Sequence, residues 1–253
     1  MIKALIFDCD GVLVDTERDG HRVGFNKVFR EFGIRADWDV ALYGELLKVA
    51  GGKERMTAYF DEYGWPEEQV AEHGGGDEGR SALIQALHKR KTAIVSELVA
   101  EGGLPLRPGI ARIVDEAIAA DVTLGVCTTS NPAFIDKVLD LFGEEVKEQF
   151  AFVHAGDIVA RKKPDPEIYE LAKQSLKVGR GGPQAHECVV IEDSRNGLLA
   201  ATGAGLPTLV TISTYTVDED FSEAARVVPD LGDEPDVKIT LADLRDIASA
   251  SAA

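Results

Sequence analysis

The chain has 253 residues, 45% of them hydrophobic, which is enough for one large domain with a sizeable core and a smaller second one. Its 44 acidic and 27 basic side chains leave a formal charge of −17, which argues against binding to nucleic acid or an anionic membrane but does not exclude an anionic substrate. Three cysteines, an odd number, sit in or beside apolar runs at Cys9, Cys127 and Cys188, so buried thiols in a reducing compartment are expected rather than a disulfide framework.

The first predicted element is a strand, Ile2 to Phe7, ending in Asp8-Cys9-Asp10-Gly11. Side chains two apart on an extended chain share a face, so Asp8 and Asp10 crowd together where the strand ends. Two such carboxylates repel unless a hard dication joins them or one keeps a proton. An Asp-Gly turn is the plain alternative. Because the strand pattern begins at Ile2 and no apolar run reaches 18 residues, neither a leader nor a membrane span is expected. The expected product is a cytoplasmic monomer, or a protein of the plastid stroma if a transit peptide has been cleaved.

Residues 16–105 show helical periodicity without a convincing strand, with a glycine-rich break at Gly74–Gly79. They read as a helical insertion that returns through a two-proline hinge or linker, Leu104–Gly109. The insertion holds 12 basic and 16 acidic residues, a net of −4, against −13 for the rest of the chain. Beyond it, β-branched runs at 122–127, 150–153, 188–191 and 208–212 alternate with helical patterns at about 108–120, 132–142, 166–176 and 194–202. The sum is an open α/β parallel sheet. The final Ala-Ser-Ala-Ser-Ala-Ala reads as a frayed tail.

Three polar clusters follow the later strands: Thr128-Thr129-Ser130-Asn131, then Lys163 in Arg161–Pro166, then Glu192-Asp193-Ser194. Taken singly they are also a helix cap, a solvated basic loop and a second cap. Open α/β sheets bind ligands at the carboxyl ends of their strands, however, and that places all of them with Asp8 and Asp10 in one crevice.

This order of motifs, Asp8-Cys9-Asp10-Gly11-Val12, Thr128, Lys163-Pro164 and Glu192-Asp193-Ser194, with a helical insertion after the first, resembles the haloacid dehalogenase superfamily. The resemblance implies a Rossmann-like core (1–15 and 106–253), an inserted helical cap (16–105) that selects substrate, Mg²⁺, and phosphoryl transfer through an aspartyl phosphate. Asp8 would be the nucleophile and Asp10 the general acid and base. Thr128 and Lys163 would bind the phosphoryl oxygens, with Thr129, Ser130 and Asn131 assisting. Asp8, the main-chain carbonyl of Asp10, Asp193 and, through water, Glu192 would hold the metal. The second aspartate, Asp10, places the chain with the phosphatases and phosphomutases of that superfamily and not the dehalogenases.

Within the insertion, Asp15–His21, Tyr43–Leu47, Gly51–Met56 and His88–Thr92 resemble the CbbY group of sugar-phosphate phosphatases. The implied reaction removes a phosphate from xylulose 1,5-bisphosphate, an inhibitor of Rubisco. Glu17, His21, Gly52, Lys53, Arg55, His88, Arg90 and Lys91 are the candidate substrate-binding residues, because a bisphosphate needs a second anion site. Lys89, Arg90 and Lys91 are consecutive, so at most two of them face one site, and a solvated helix face is the alternative. Gly51-Gly52-Lys53-Glu54-Arg55 could instead be a glycine break before a helix, with Glu54 and Arg55 exposed. His21 could be an interface histidine, or a proton relay as in the β-phosphoglucomutases, which makes a sugar phosphomutase the main rival; a phosphatase of another phosphosugar and a non-catalytic binding protein are the others.

Overall fold

The computed structural model describes residues 2–49 and 51–250, which fall into two compact units: 2–15 with 104–250, and 16–103. In the larger unit six strands form one parallel sheet in the order β3-β2-β1-β4-β5-β6. They are β1 (Ala4–Phe7), β2 (Thr123–Cys127), β3 (Phe150–His154), β4 (Cys188–Glu192), β5 (Thr208–Thr211) and β6 (Arg226–Val228). β1 lies between β2 and β4, with Phe7 level with Val126 on one side and Ile191 on the other. The strand order therefore reverses at β1, and the crevice that such a reversal opens lies at the carboxyl ends of β1 and β4.

Every residue of β1 and β4 is buried, as expected of central parallel strands covered on both faces. Ala4, Ile6, Cys188 and Val190 pack with Ile168, Tyr169, Ala172, Ala200 and Ala201 from helices α9 (Glu167–Ser175) and α10 (Arg195–Gly203). Helix α6 (Ile110–Ala119) packs on β2, and α11 (Leu241–Ala250) packs on β4 and α6. Caps start the helices that follow strands: Asn131 accepts from Ala133 N at 2.8 Å ahead of α7 (Pro132–Asp140), and Ser194 accepts from Gly197 N at 3.2 Å ahead of α10.

The parallel sheet and its alternating helices match the sequence expectation, with ends that shift by one or two residues. β6 and α11 were not expected. β6 has only three residues, two of them exposed, and its partner strand β5 decides its existence. Helix α11 continues through 248–250, where a frayed tail was expected; 251–253 lie outside the described residues. The segment expected to be a hinge or linker begins where the two units divide, at Leu104, and it is anchored within the larger one. Leu104 is buried, Leu106 bridges to Val14, and Arg107 donates to the carbonyls of Gly11, Thr211 (3.1 Å), Ile212 (2.6 Å) and Pro229 (2.8 Å).

The smaller unit is helical: a π-helical turn (Thr16–His21), then α1 (Arg22–Glu31), α2 (Val40–Leu46), α3 (Gly52–Tyr63), α4 (Glu67–Glu72) and α5 (Gly76–Ala100), with the short α8 (Glu144–Lys147) lying in the larger unit. The glycine-rich break is narrower than expected. Gly74 and Gly75, at φ +113° and +76°, make the turn, whereas Gly76 to Gly79 already belong to α5. Gly79 also lies close to α4: a Cβ there would meet Val70 O at 2.5 Å.

The core of this unit is aromatic. Trp38 lies with its ring centroid 4.7 Å from Phe25, 5.0 Å from Phe29 and 5.3 Å from Tyr59. Asn26 fixes the backbone of Trp38 at both ends, accepting from its N–H at 2.7 Å and donating to its carbonyl at 2.8 Å. Arg22 also donates to that carbonyl, so replacing Asn26 strands only the buried N–H. Asn26→Ala is expected to destabilise the helical unit by about 1–3 kcal/mol. Both tryptophans of the chain lie in this unit, so urea unfolding followed by tryptophan emission reports on it directly. An unchanged midpoint would show that Asn26 does not hold Trp38.

Candidate active site

The chain turns sharply after β1. The N–H of Asp8 still extends the sheet by donating to Ile191 O at 3.0 Å, and the carbonyl of Cys9 then collects the N–H groups of Val12, Leu13 and Val14. Gly11 sits at φ +79°, and a Cβ there would lie 1.9 Å from Asp193 Oδ2, so the first loop closes against the carboxylate after β4 only because residue 11 has no side chain.

Asp8, Glu192 and Asp193 are buried with ligand atoms all within 4.8 Å of one another. Lys163, from the loop after β3, reaches into them. Its Nζ donates to Asp8 Oδ1 at 2.6 Å, to Glu192 Oε1 at 2.6 Å and to the Cys127 carbonyl at 3.0 Å, which uses all three ammonium protons. Burial pushes the Asp8 carboxyl up to about 7; the Lys163 ammonium pulls it down, and Glu192 and Asp10 push it further up. Burial likewise raises Asp193 well above the carboxylate range, with repulsion from Glu192 and Asp8 adding to it. For Lys163 burial acts downward, but Asp8 and Glu192 outweigh it and hold the ammonium above its ordinary value.

Three buried carboxylates with one ammonium would carry a net −2 if all were ionised, a deficit that a hard dication cancels. An all-oxygen donor set suits Mg²⁺, Mn²⁺ or Ca²⁺ better than a soft metal. The residues therefore fit a divalent cation. Beside them, Asp10 Oδ2 accepts from the hydroxyl of Ser130 and, at 3.4 Å, from that of Thr128. The Thr128 hydroxyl accepts from Ser130 N at 3.1 Å, while its own N–H is tied to His154 O at 2.9 Å.

The helical unit holds a second polar group. Tyr43 OH donates to Glu17 Oε2 at 2.6 Å and receives Arg55 Nη1 at 3.1 Å, and Arg55 Nε donates to Leu46 O at 3.1 Å. Arg55 is thus buried, where the glycine-break alternative had it exposed. Lys91 is only 7% exposed, with Nζ 4.6 Å from the Phe25 ring centroid, and no carboxylate lies within ion-pair distance of it among the described residues. Burial lowers its ammonium to about 8, Glu17 opposing and Arg55 reinforcing. His88 is lowered by burial, then by Lys91 and Lys53, against Glu54. It sits over Gly52, where a Cβ would be 3.2 Å from the imidazole and 3.3 Å from Phe25.

A family model of haloacid dehalogenase-like hydrolases matches residues 2–205. The chain belongs to that family. It is 48% identical to the CBBY-like protein of Arabidopsis thaliana over 95% of this chain and 72% of that one. It is 43% identical to the plasmid-borne CbbY of Cupriavidus necator, over 92% and 87%. A crystal structure of a CbbY variant from Rhodobacter sphaeroides in complex with xylulose 1,5-bisphosphate superposes with a TM-score of 0.69 at 37% identity, covering 96% of this chain and 99% of the other.

In this hydrolase the structure brings Asp8, Lys163, Glu192 and Asp193 into one cluster, with Asp10 close enough to act on Asp8 and bonded in turn to Thr128 and Ser130. Thr129 is exposed, and the Asn131 side-chain oxygen is occupied as a helix cap. Arg90 does not join Lys91: its guanidinium is clamped by Glu31 at 2.7 and 2.8 Å and by Glu97 at 2.7 Å, so it is the solvated face. Lys53 is exposed, and His21 ends the π-helical turn, whose wider winding takes up one residue more than an α-turn. Sequence reasoning named Tyr43 only within a resembling segment, without a role, and missed Arg107, Ser213, which hydrogen-bonds Asp193, and Tyr169. For Tyr169 a signal existed: a hydroxyl within the buried stripe Ile168, Tyr169, Ala172 demands a polar partner.

A buried lysine without a carboxylate partner costs stability. Below pH 8 both folded and unfolded Lys91 are protonated and the fold bears the full cost of the buried charge, on the order of 3 kcal/mol. Between pH 8 and 10.5 the folded group has lost its proton while the unfolded one keeps it, so stability rises with pH across that window. Lys91→Met is expected to stabilise the helical unit at pH 7, with the gain shrinking toward pH 10.5 in urea titrations. A gain that is absent at pH 7, or equal at both pH values, would show that the charge is not the cause.

Proposed function

We propose that this hydrolase is a Mg²⁺-dependent sugar-phosphate phosphatase that works through an aspartyl phosphate on Asp8, with xylulose 1,5-bisphosphate as substrate and xylulose 5-phosphate as product. The observation that carries the reaction class is the Asp8 carboxylate held at 2.6 Å by Lys163, with a second carboxylate, Asp10, two residues on. An Asp8 oxygen attacks phosphorus, the ester P–O bond breaks, and Asp10 gives its proton to the leaving alkoxide. Asp10 then takes a proton from a water that attacks the phosphoryl group, which leaves as phosphate and frees Asp8. Thr128 hydrogen-bonds the transferring oxygens and Lys163 offsets their charge, which it can do throughout the neutral range because Asp8 and Glu192 keep it charged. Asp8, Asp193 and the carbonyl of Asp10 would hold Mg²⁺, which when bound supplies further charge neutralisation.

The substrate reading is supported by the similarity to CbbY proteins and by the cationic group of the helical unit. We assign the distal phosphate to Arg55 and Lys91. Arg55 is oriented by Tyr43 and Leu46, and Lys91 is kept charged and unpaired at a cost in stability, which an anionic ligand would offset.

Asp8→Asn is expected to lower turnover by at least about 10³-fold, roughly 4 kcal/mol of barrier, while leaving the fold intact. Phosphate release above a tenth of the wild-type rate in that variant would end the covalent mechanism, and a wild type that converts sugar phosphates without releasing free phosphate would point to the mutase.

Substrate choice separates from chemistry. Lys91→Met or Arg55→Ala is expected to cost about 2–4 kcal/mol in kcat/KM toward xylulose 1,5-bisphosphate and to leave hydrolysis of p-nitrophenyl phosphate nearly unchanged. Equal losses on both substrates would remove these residues from the distal-phosphate site. Equal wild-type activity on xylulose 5-phosphate and the bisphosphate would remove the substrate assignment itself.

A further inference from the structure

Glu192 has no freedom left. It is fully buried, and a Cβ on Gly197 would sit 2.0 Å from its carboxyl carbon, so the first turn of α10 closes over it. Its Oε2 accepts from Asp193 N at 3.1 Å. Its Oε1 accepts from Lys163 at 2.6 Å and, also at 2.6 Å, from the hydroxyl of Tyr169. Tyr169 is itself fully buried on α9, and the Lys163 ammonium lies 5.2 Å from its ring centroid. One side chain therefore touches Lys163 twice over, through its ring and through the carboxylate that Lys163 grips, without a hydrogen bond to Asp8 or Asp193.

We infer that Tyr169 is a positioning residue: by holding Glu192 it aims the Lys163 ammonium at Asp8 and keeps Glu192 out of the inner coordination shell of a bound metal. Three carboxylates in one buried cluster would otherwise compete for the same cation. The tyrosine divides them, committing Glu192 to lysine and leaving Asp8 and Asp193 for the metal. Two donors on Oε1 fix that oxygen in place, whereas with lysine as its sole donor Oε1 can turn toward a dication about the Oε2 still held by Asp193 N, and draw the ammonium away from the nucleophile. The functional consequence rests on the phosphatase reading; the division of the carboxylates does not.

The test uses the full chain and two readouts. Mn²⁺ binding to substrate-free protein, followed by electron paramagnetic resonance, needs no turnover; kcat and KM for p-nitrophenyl phosphate with Mg²⁺ report on Lys163. Tyr169→Phe keeps the buried ring and removes only the hydroxyl. It is expected to bind Mn²⁺ about 3–10-fold more tightly, because Glu192 is released to it, while kcat falls about 5–20-fold with KM little changed. Wild-type Mn²⁺ affinity with wild-type kcat overturns the inference, and so does a parallel loss of metal affinity and kcat, which is what simple loosening of the site would produce. Should Tyr169→Phe fail to fold, Glu192→Gln decides: it is expected to keep Mn²⁺ affinity within tenfold, whereas Asp193→Asn loses it, and equal loss in both variants would make Glu192 a direct ligand and refute the inference. If the wild type releases no phosphate, the phosphatase reading fails, while the Mn²⁺ comparison still judges the role of Tyr169.

Discussion

The candidate site depends on one ammonium group shared by two buried carboxylates and a carbonyl. Lys163 comes from the loop after β3, Asp8 follows β1, Glu192 ends β4, and the Cys127 carbonyl ends β2. Four strand ends are thus tied at one atom. A buried ion pair of this kind is costly to desolvate and is weak evidence of stability, so its presence at the strand-order reversal is better explained by chemistry than by folding. The surplus negative charge left in the cluster is the second half of the same argument, since burial and mutual repulsion push the Asp8 and Asp193 carboxyls upward and make the cluster a ready acceptor of a cation.

The two buried lysines show how environment decides charge. Lys163 lies within hydrogen-bond reach of two carboxylates, and their field outweighs the loss of water. Lys91 has an aromatic ring in place of an ion-pair partner, feels Glu17 only at longer range and is opposed by Arg55, so burial dominates and its ammonium is weakened to about 8. A lysine in the second condition costs the fold stability instead of supporting it. The same contrast sorts the arginines of the helical unit. Arg90 is saturated by Glu31 and Glu97, whereas Arg55 donates to a neutral hydroxyl and a carbonyl.

Glycine supplies the close approaches that make the larger unit's site compact. Gly11 admits Asp193 and Gly197 admits Glu192, each at a distance a methyl group would occupy. Arg107 locks the same loop from outside, joining the Gly11 carbonyl to the ends of β5 and β6. The segment that carries it reads as a linker because two prolines flank it, yet a planar guanidinium with several donors makes it a fastening point.

The parallel sheet, the helical insertion after the first strand, the positions of Asp8, Asp10, Glu192 and Asp193 at strand ends and that of Lys163 in the loop after a strand were legible in the sequence. Hydrophobic period and proline or polar starts are local signals, and motif order survives without coordinates. What tertiary structure alone decided is which polar atoms meet. Consecutive residues Arg90 and Lys91 look alike in sequence, and only the packing of α5 turned one to Glu31 and solvent and buried the other against Phe25. Tyr169 reads as one more core aromatic until its hydroxyl is found on Glu192, 23 positions later in the chain. The short strand β6 exists because β5 offers it an edge, not because its three residues demand one. Burial and hydrogen-bond partnership are properties of the assembled fold, and a one-dimensional pattern contains the period of a surface but not what covers it.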